Sequence, residues 1–411
     1  MNLRREIQNI PKGIRLISWA TAIRYIGWGF VEGLIPIFLF SFTGSYAESG
    51  LLSSVYDIIF IICLPLAGML ADRTASKKII ISGLILYPFI GLSYFIAGVT
   101  SMLAFVIIAR VMNGFAYAFD LVGRNTYFRR HSSFQNASTV FGYFETLSTI
   151  WWLVAMIASL WLVAFVKIHY LFLLLIPTVL VAIFIITKLK SDMDEPIKTS
   201  LGKVFHFGYF LNIIKEIKTW DKGLRLITAI VFFLSFLGAI VEFIIPINAY
   251  SNGANIQYAI SINIIFAIPT LFGFYLGKII DKKREFGIIF GILLASLLFL
   301  AYHFVDFKPL QLLIFLGIGI AFQMVTLGCD GITTVIAKSK EFGVVSSIMS
   351  ALADFGNIAG MVALGLIVDK KGMGFGIFTA LTITTMLLFV IIKNKKYIAT
   401  AMPVRYERGN S

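Results

Sequence analysis

Glu32-Gly-Leu-Ile-Pro36, set inside an apolar run, returns 210 residues later as Glu242-Phe-Ile-Ile-Pro246. An acid within a stretch that otherwise suits lipid is rare and costly. Here it occurs twice, each time four residues ahead of a proline. The same offset, 209 or 210, relates Asp72 to Asp281, Asp120 to Asp330 and Glu145 to Asp354. Four acid pairs in register are hard to obtain from composition alone, so the chain reads as a duplication in which each half carries the same elements.

Working outward, the surroundings of these acids define a membrane protein. Of 411 residues, 59% are hydrophobic and 14% charged, against about 25% charged in an ordinary soluble domain. A bilayer core roughly 30 Å thick takes about 20 apolar residues per helix. The pattern predicts twelve spans, at 17–41, 48–71, 78–98, 101–123, 137–164, 168–187, 226–250, 256–280, 285–304, 310–336, 342–367 and 373–392. The fold class is therefore all-α integral membrane, as two six-helix bundles: 1–187 and 226–393. Between them, residues 188–225 form a cytoplasmic linker. Within it Phe207, Phe210, Leu211, Ile214 and Ile217 share one helical face suited to the membrane surface. Residues 394–411 form a tail. An even number of spans per half makes the halves parallel, related by a pseudo-twofold axis along the membrane normal.

The net charge of +14 does not point to nucleic acid, because the basic residues gather in loops between apolar runs rather than in a stripe with stacking aromatics. Their partner is the lipid surface. With both termini cytoplasmic, only Lys167, Lys308, Lys370 and Lys371 fall in external loops, which satisfies the positive-inside rule. The expected location is the cell membrane, as a multi-pass monomer. Cys63 and Cys329 sit in apolar spans and suggest neither a disulfide nor a metal. The four histidines are dispersed, and Gly273-Phe-Tyr-Leu-Gly277-Lys278 falls short of a phosphate-binding loop. No cofactor and no enzymatic chemistry are expected.

The loop after span two reads Gly68-Met-Leu-Ala-Asp72-Arg73-Thr-Ala-Ser-Lys77-Lys78. It is similar to the signature between spans two and three of the major facilitator superfamily. Its counterpart in the second half is Gly277-Lys-Ile-Ile-Asp281-Lys282-Lys283-Arg284. A weaker echo, Gly365-Leu-Ile-Val-Asp369-Lys370-Lys371-Gly372, follows span eleven. Arg110-Val-Met-Asn-Gly114 resembles the family's span-four arginine motif. Span five departs from the glycine- and proline-rich motif of the family's drug–proton antiporters: Gly142-Tyr-Phe-Glu145-Thr-Leu-Ser-Thr-Ile-Trp151-Trp152 has one glycine and no proline. The resemblance implies a latch at the cytoplasmic face, formed by Gly68, Asp72, Arg73, Lys77, Asp120, Gly277, Asp281 and Asp330, with Asp120 as the partner of the loop. The alternative is a charged turn that merely obeys the positive-inside rule.

For substrate and coupling, the residues that stand out are Glu32, Asp57, Arg110, Glu242, Glu145 and Asp354. At 1.5 Å per residue, Glu32, Asp57 and Arg110 share a depth within a few ångström of one another, ~9–13 Å below the outer boundary. Arginine at that level needs a partner or water, so Arg110 is expected to face Glu32 or Asp57, either as a coupling pair or as a structural salt bridge. The position equivalent to Arg110 in the second half is Ile320, which leaves Glu242 without a matching arginine, either to carry a proton or to sit partly hydrated near the outer mouth. Glu145, Asp330 and Asp354 serve as gates or in packing. Tyr25, Trp28, Trp151 and Trp152 line a pocket or anchor the spans in lipid. The expectation is secondary active transport of a small solute by alternating access, driven by protons rather than sodium. Efflux of drugs or metabolites by proton antiport is the alternative within that class. A transporter-like sensor and an intramembrane enzyme are the readings from other classes.

Overall fold

The computed structural model describes residues 10–131, 137–192, 220, 222–280, 283–337 and 342–399. Among these, the chain forms twelve helical spans: α1 (Lys12–Thr43), α2 (Tyr46–Arg73), α3 (Ser76–Thr100), α4 (Leu103–His131), α5 (Ala137–Leu162), α6 (Ile168–Thr187), α7 (Lys222–Ser251), α8 (256–280), α9 (Arg284–Phe304), α10 (Lys308–Ala337), α11 (Phe342–Lys371) and α12 (Met373–Ala399). Eleven are long and apolar enough to cross a membrane, and α8 adds the shorter apolar stretch Ile256–Phe272. Large apolar side chains such as Phe184, Phe378 and Phe389 stand exposed on the outside of the spans. That is the surface a hydrocarbon solvent requires and water would reject. The amphipathic face expected in the linker lies outside the described residues.

Proline placement explains the irregular turns. A proline lacks the N–H that would bond to the carbonyl four residues earlier, and its ring presses on that carbonyl. For Pro36 that residue is Glu32, and for Pro246 it is Glu242. In α1 the regular helix stops at Gly29, a 3-10 turn occupies Glu32–Leu34, and α-helix resumes at Ile35. In α7 a π turn covers Ile240–Ile244 before helix resumes at Ile245. Both repeated acids thus sit in a turn that is not α-helical. Pro177 and Pro269 accompany further 3-10 turns, at Phe172–Leu174 and Ile268–Phe272.

The chain divides into two compact units. The first comprises Met1–Gly44, Leu51–His206 and Asn255–Ile260; the second comprises Ser45–Gly50, Phe207–Ala254 and Ser261–Ser411. In the first unit α1 packs on α5 and α6, and α3 packs on α4. In the second, α7 packs on α11 and α12, and α9 packs on α10. The matching pairs are what duplication predicts.

Two glycines illustrate how close these approaches are. Gly29 of α1 lies against the Trp152 carbonyl of α5, and Gly360 of α11 lies against the Phe236 carbonyl of α7. A side chain at either position meets backbone, which has no rotamer with which to yield. Gly360→Val is therefore expected to cost ~1–3 kcal/mol through overpacking, read as a lower thermal unfolding midpoint in detergent. Gly68→Val, where an added Cβ meets nothing within 4 Å among the described residues, should be close to neutral. Equal losses at the two positions would refute this account of the packing.

Candidate functional site in the first unit

Three buried arginines organise the polar interior of the first unit. Arg24 of α1 donates through Nη2 to Asp120 Oδ2 of α4 at 3.0 Å and through Nη1 to the Tyr87 hydroxyl of α3 at 3.0 Å. Arg124, one turn beyond Asp120 on the same helix, donates to the same oxygen at 3.3 Å. Its guanidinium also lies over the Phe144 ring of α5, 4.4 Å from the centroid. All three charged side chains are about 2% exposed. One carboxylate thus gathers two cations and joins α1, α3, α4 and α5.

Among the described residues the ion pairs of Asp120 go to Arg24 and Arg124, deep in the unit; the side chains of Asp72 and Arg73, which the loop reading would bring to it, lie outside what is described. The sequence carries a signal for Arg24, since an arginine inside span one needs a counter-ion, but it does not say which acid supplies it. The positions equivalent to Arg24 and Arg124 in the second half are Leu234 and Thr334. Asp330, the repeat of Asp120, is exposed. The duplication kept the acid and changed its environment.

Arg110 also departs from expectation. Its Nη2 donates to the Ser53 hydroxyl at 3.0 Å and to the Ser53 carbonyl, both on α2, and its guanidinium lies 5.0 Å from the Tyr56 ring centroid. Neither Glu32 nor Asp57 comes within 4.0 Å of a lysine or arginine nitrogen among the described residues. Glu32 Oε2 instead accepts from the Trp152 indole N–H of α5. Asp57, one turn beyond Ser53, is buried at 6% exposure. Equal depth fixes no direction around the helix axes, and Arg110 reaches Ser53 instead.

The other expected site residues stand as follows. Glu242 is exposed in its π turn, Glu145 is exposed and Asp354 is half-buried. Trp28 packs edge-on to Tyr87 and Tyr25 lies beneath Arg24, so these aromatics, like Trp152, attend the charged groups. Of the loop signature, the Asp72 and Arg73 side chains and Asp281 lie outside what is described. Gly277 falls in the last helical segment of α8.

Lys77 is tied within its own unit. Its Nζ donates to the Leu189 carbonyl at 3.0 Å and to the Thr187 carbonyl, capping the C-terminal end of α6 with positive charge. Beside it, Asp192 accepts from the Ser76 amide at 2.8 Å, from the Ser76 hydroxyl at 2.5 Å and from Arg130 Nη1 at 2.9 Å. Arg130 Nη2 reaches the Ala71 carbonyl at 2.8 Å. Burial pushes the Asp192 carboxyl up, but the bonds from Ser76 and Arg130 outweigh it and hold the group below the usual carboxylate range. The start of α3 is thereby fastened to the end of α6 and, through Arg130, to α4. Asp192 was not singled out in the sequence, because one acid among the charges of the linker has no distinguishing pattern.

Comparison with known proteins places this arrangement. The model of the Major Facilitator Superfamily matches residues 17–361. No curated protein matches the chain. Among solved structures, the nucleoside transporter NupG is 16% identical, with a TM-score of 0.72 over 93% of this chain and 99% of NupG. The human organic anion transporter MFSD10 is 14% identical, with a TM-score of 0.66 over 93% of this chain and 100% of that one. A bacterial homolog of the human lysosomal transporter Spinster, solved inward-facing and unoccupied, is 15% identical, with a TM-score of 0.65 over 95% and 96% of the two chains. At these identities the likeness is one of fold. With twelve spans in two repeated halves and a family match over most of its length, the chain belongs to the Major Facilitator Superfamily of membrane transporters.

Proposed function

We propose that the chain moves a small solute by alternating access, as a secondary active transporter coupled to protons. In this reading residues 1–187 and 226–393 are the two bundles that rock about a midplane site, in a cell membrane with both termini in the cytoplasm. The observation that carries it is the division of labour among three acids of the first unit. Asp120 is neutralised by two arginines. Glu32 is held by a neutral indole, and Asp57 is buried with no cation within 4.0 Å among the described residues. An anion in low dielectric without a cation is costly, and taking up a proton removes that cost. Glu32 and Asp57 are thus the groups whose charge can alternate, while Asp120 stays fixed. Glu242, in the matching turn of the second half, is the third coupling candidate.

The test begins with a thermal-shift screen of purified protein against metabolites and drugs, to supply a ligand. Proteoliposomes with an imposed pH gradient should then concentrate that ligand, and a protonophore should abolish the accumulation. Accumulation that ignores the protonophore but follows a sodium gradient would overturn the proton assignment. Equilibration without accumulation under any gradient would overturn active transport.

A further inference from the structure

Of the three buried arginines of the first unit, two meet an acid: Arg24 and Arg124 share Asp120. Arg110, 4% exposed on α4, is met by neutral groups, the Ser53 hydroxyl and carbonyl and the ring of Tyr56. Among the described residues no carboxylate lies within 4.0 Å of it. Neutral dipoles orient around a guanidinium but leave its charge standing, and a buried charge without a counter-charge is costly.

The unmet hydrogen bonds around Arg110 are one-sided. Its Nε is buried with no acceptor, and the hydroxyl of Tyr94 on α3, a residue with no exposed surface, is buried without a partner as well. The Arg110 charge acts on that hydroxyl, yet nothing stands in hydrogen-bonding geometry to it. The Tyr94 ring packs against Phe38 and Phe172, with centroids 5.9 and 4.4 Å away, so it is not free to seek a partner elsewhere. Two donors, one of them charged, call for oxygen acceptors that carry negative charge. Water answers the first need only. A carboxylate answers both, and its two oxygens suit one guanidinium edge.

A count of charges agrees. Arg24, Arg110 and Arg124 balance Asp120, Glu32 and Asp57 when all three acids are ionised. Once Glu32 and Asp57 take up protons, the same set stands at +2, and an anion restores the balance where a cation would worsen it. Asp57 is placed to mediate. It follows Ser53 by four residues, hence on the same face of α2, and the charge of Arg110 acts on it. The groups around Arg110 that can change charge are Asp57 and Tyr56 on α2, Tyr94 on α3 and Glu32 on α1.

We propose that the solute is an organic acid whose carboxylate binds Arg110 and the Tyr94 hydroxyl in exchange with Asp57. Protonated Asp57 leaves the guanidinium to the solute; ionised Asp57 reclaims it and expels the solute. Proton and anion then travel together. This rests on the proton-coupled reading and adds to it the charge of the solute. Sodium formate, the smallest carboxylate, fits any site that takes one, so it serves as the probe in thermal unfolding of the purified protein in detergent. Sodium phosphate at equal ionic strength is the tetrahedral comparison. General salt effects act on every variant, and the difference from Arg110→Gln isolates the site. At ~100 mM formate and pH ~5 the midpoint of the parent should rise by about 2–4 °C more than that of Arg110→Gln, the scale for a Kd of ~10 mM. Raising the pH to ~8 should remove this gain from the parent and leave it in Asp57→Asn, whose amide does not ionise. Tyr94→Phe, which deletes a hydroxyl without a partner, should unfold no earlier than the parent yet lose much of the gain. No gain of the parent over Arg110→Gln overturns the proposal. Where Arg110→Gln does not fold, an undiminished gain in Tyr94→Phe overturns it equally. A gain with phosphate alone overturns the carboxylate, and a gain that Asp57→Asn loses with pH as the parent does overturns the exchange. If formate binds as expected but no acid accumulates under a pH gradient, coupled transport fails and the anion site stands. If a pH gradient drives a neutral or cationic ligand instead, the anion site fails and the coupling stands.

Discussion

Asp120→Asn is expected to be the most destabilising single substitution in the first unit, at ~3–5 kcal/mol, the range for stripping one partner from a buried ion pair. The arithmetic of charge explains the size. Arg24, Arg124 and Asp120 carry a net +1 in a region about 2% exposed. Removing the carboxylate leaves +2 there with a neutral amide between the cations. Arg24→Gln should cost less, because the remaining Asp120–Arg124 pair is neutral, although the bridge from α1 to α4 and the bond to Tyr87 are lost. Arg124→Gln should be the mildest of the three. It removes the excess charge, and the bond it gives up joins residues on the same helix, leaving the stacking on Phe144 as its main loss. Combining Asp120→Asn with Arg24→Gln returns the net charge to +1 and should recover part of the loss, so the cycle is non-additive. Thermal unfolding in detergent ranks the four variants. If Arg124→Gln proves as harmful as Asp120→Asn, net charge does not govern the cluster.

The contrast between Asp120 and Arg110 shows what a sequence of this kind discloses. Spans, repeat and helix irregularities were legible because each depends on properties summed along the chain: apolar length, a fixed offset, a proline acting on the carbonyl four residues back. Glu32 and Glu242 stood out for the same reason, and both occupy the non-α turns ahead of Pro36 and Pro246. Pairing was not legible. Each residue turns a helical side chain by about 100°, so two groups at one depth can face each other or face away. Arg110 turns to Ser53 and the ring of Tyr56, while Arg24 supplies the bridge to Asp120.

Glu32→Gln is expected to abolish concentrative transport while leaving the protein folded and able to bind its ligand. Glutamine has the shape of glutamate, and its carbonyl oxygen can still accept the Trp152 indole N–H, so the tie between α1 and α5 persists. What is lost is the ability to exchange a proton. If Glu32 is a coupling group, accumulation driven by a pH gradient should fall at least about tenfold, the effect of a free-energy contribution of ~1.4 kcal/mol or more. Exchange of labelled for unlabelled ligand, which needs no net proton movement, should persist. Trp152→Phe separates the two roles of the site: it keeps the titrating carboxyl and removes the hydrogen bond from the Trp152 indole. That variant should retain accumulation with a shifted pH profile, because one of the interactions setting the proton affinity has changed. Asp57→Asn provides the comparison, being buried nearby on α2 and likewise without a cation within 4.0 Å among the described residues. Full accumulation by Glu32→Gln, with loss in Asp57→Asn, would move the coupling proton from α1 to α2. Loss of both exchange and accumulation in Glu32→Gln would instead make Glu32 part of the ligand site.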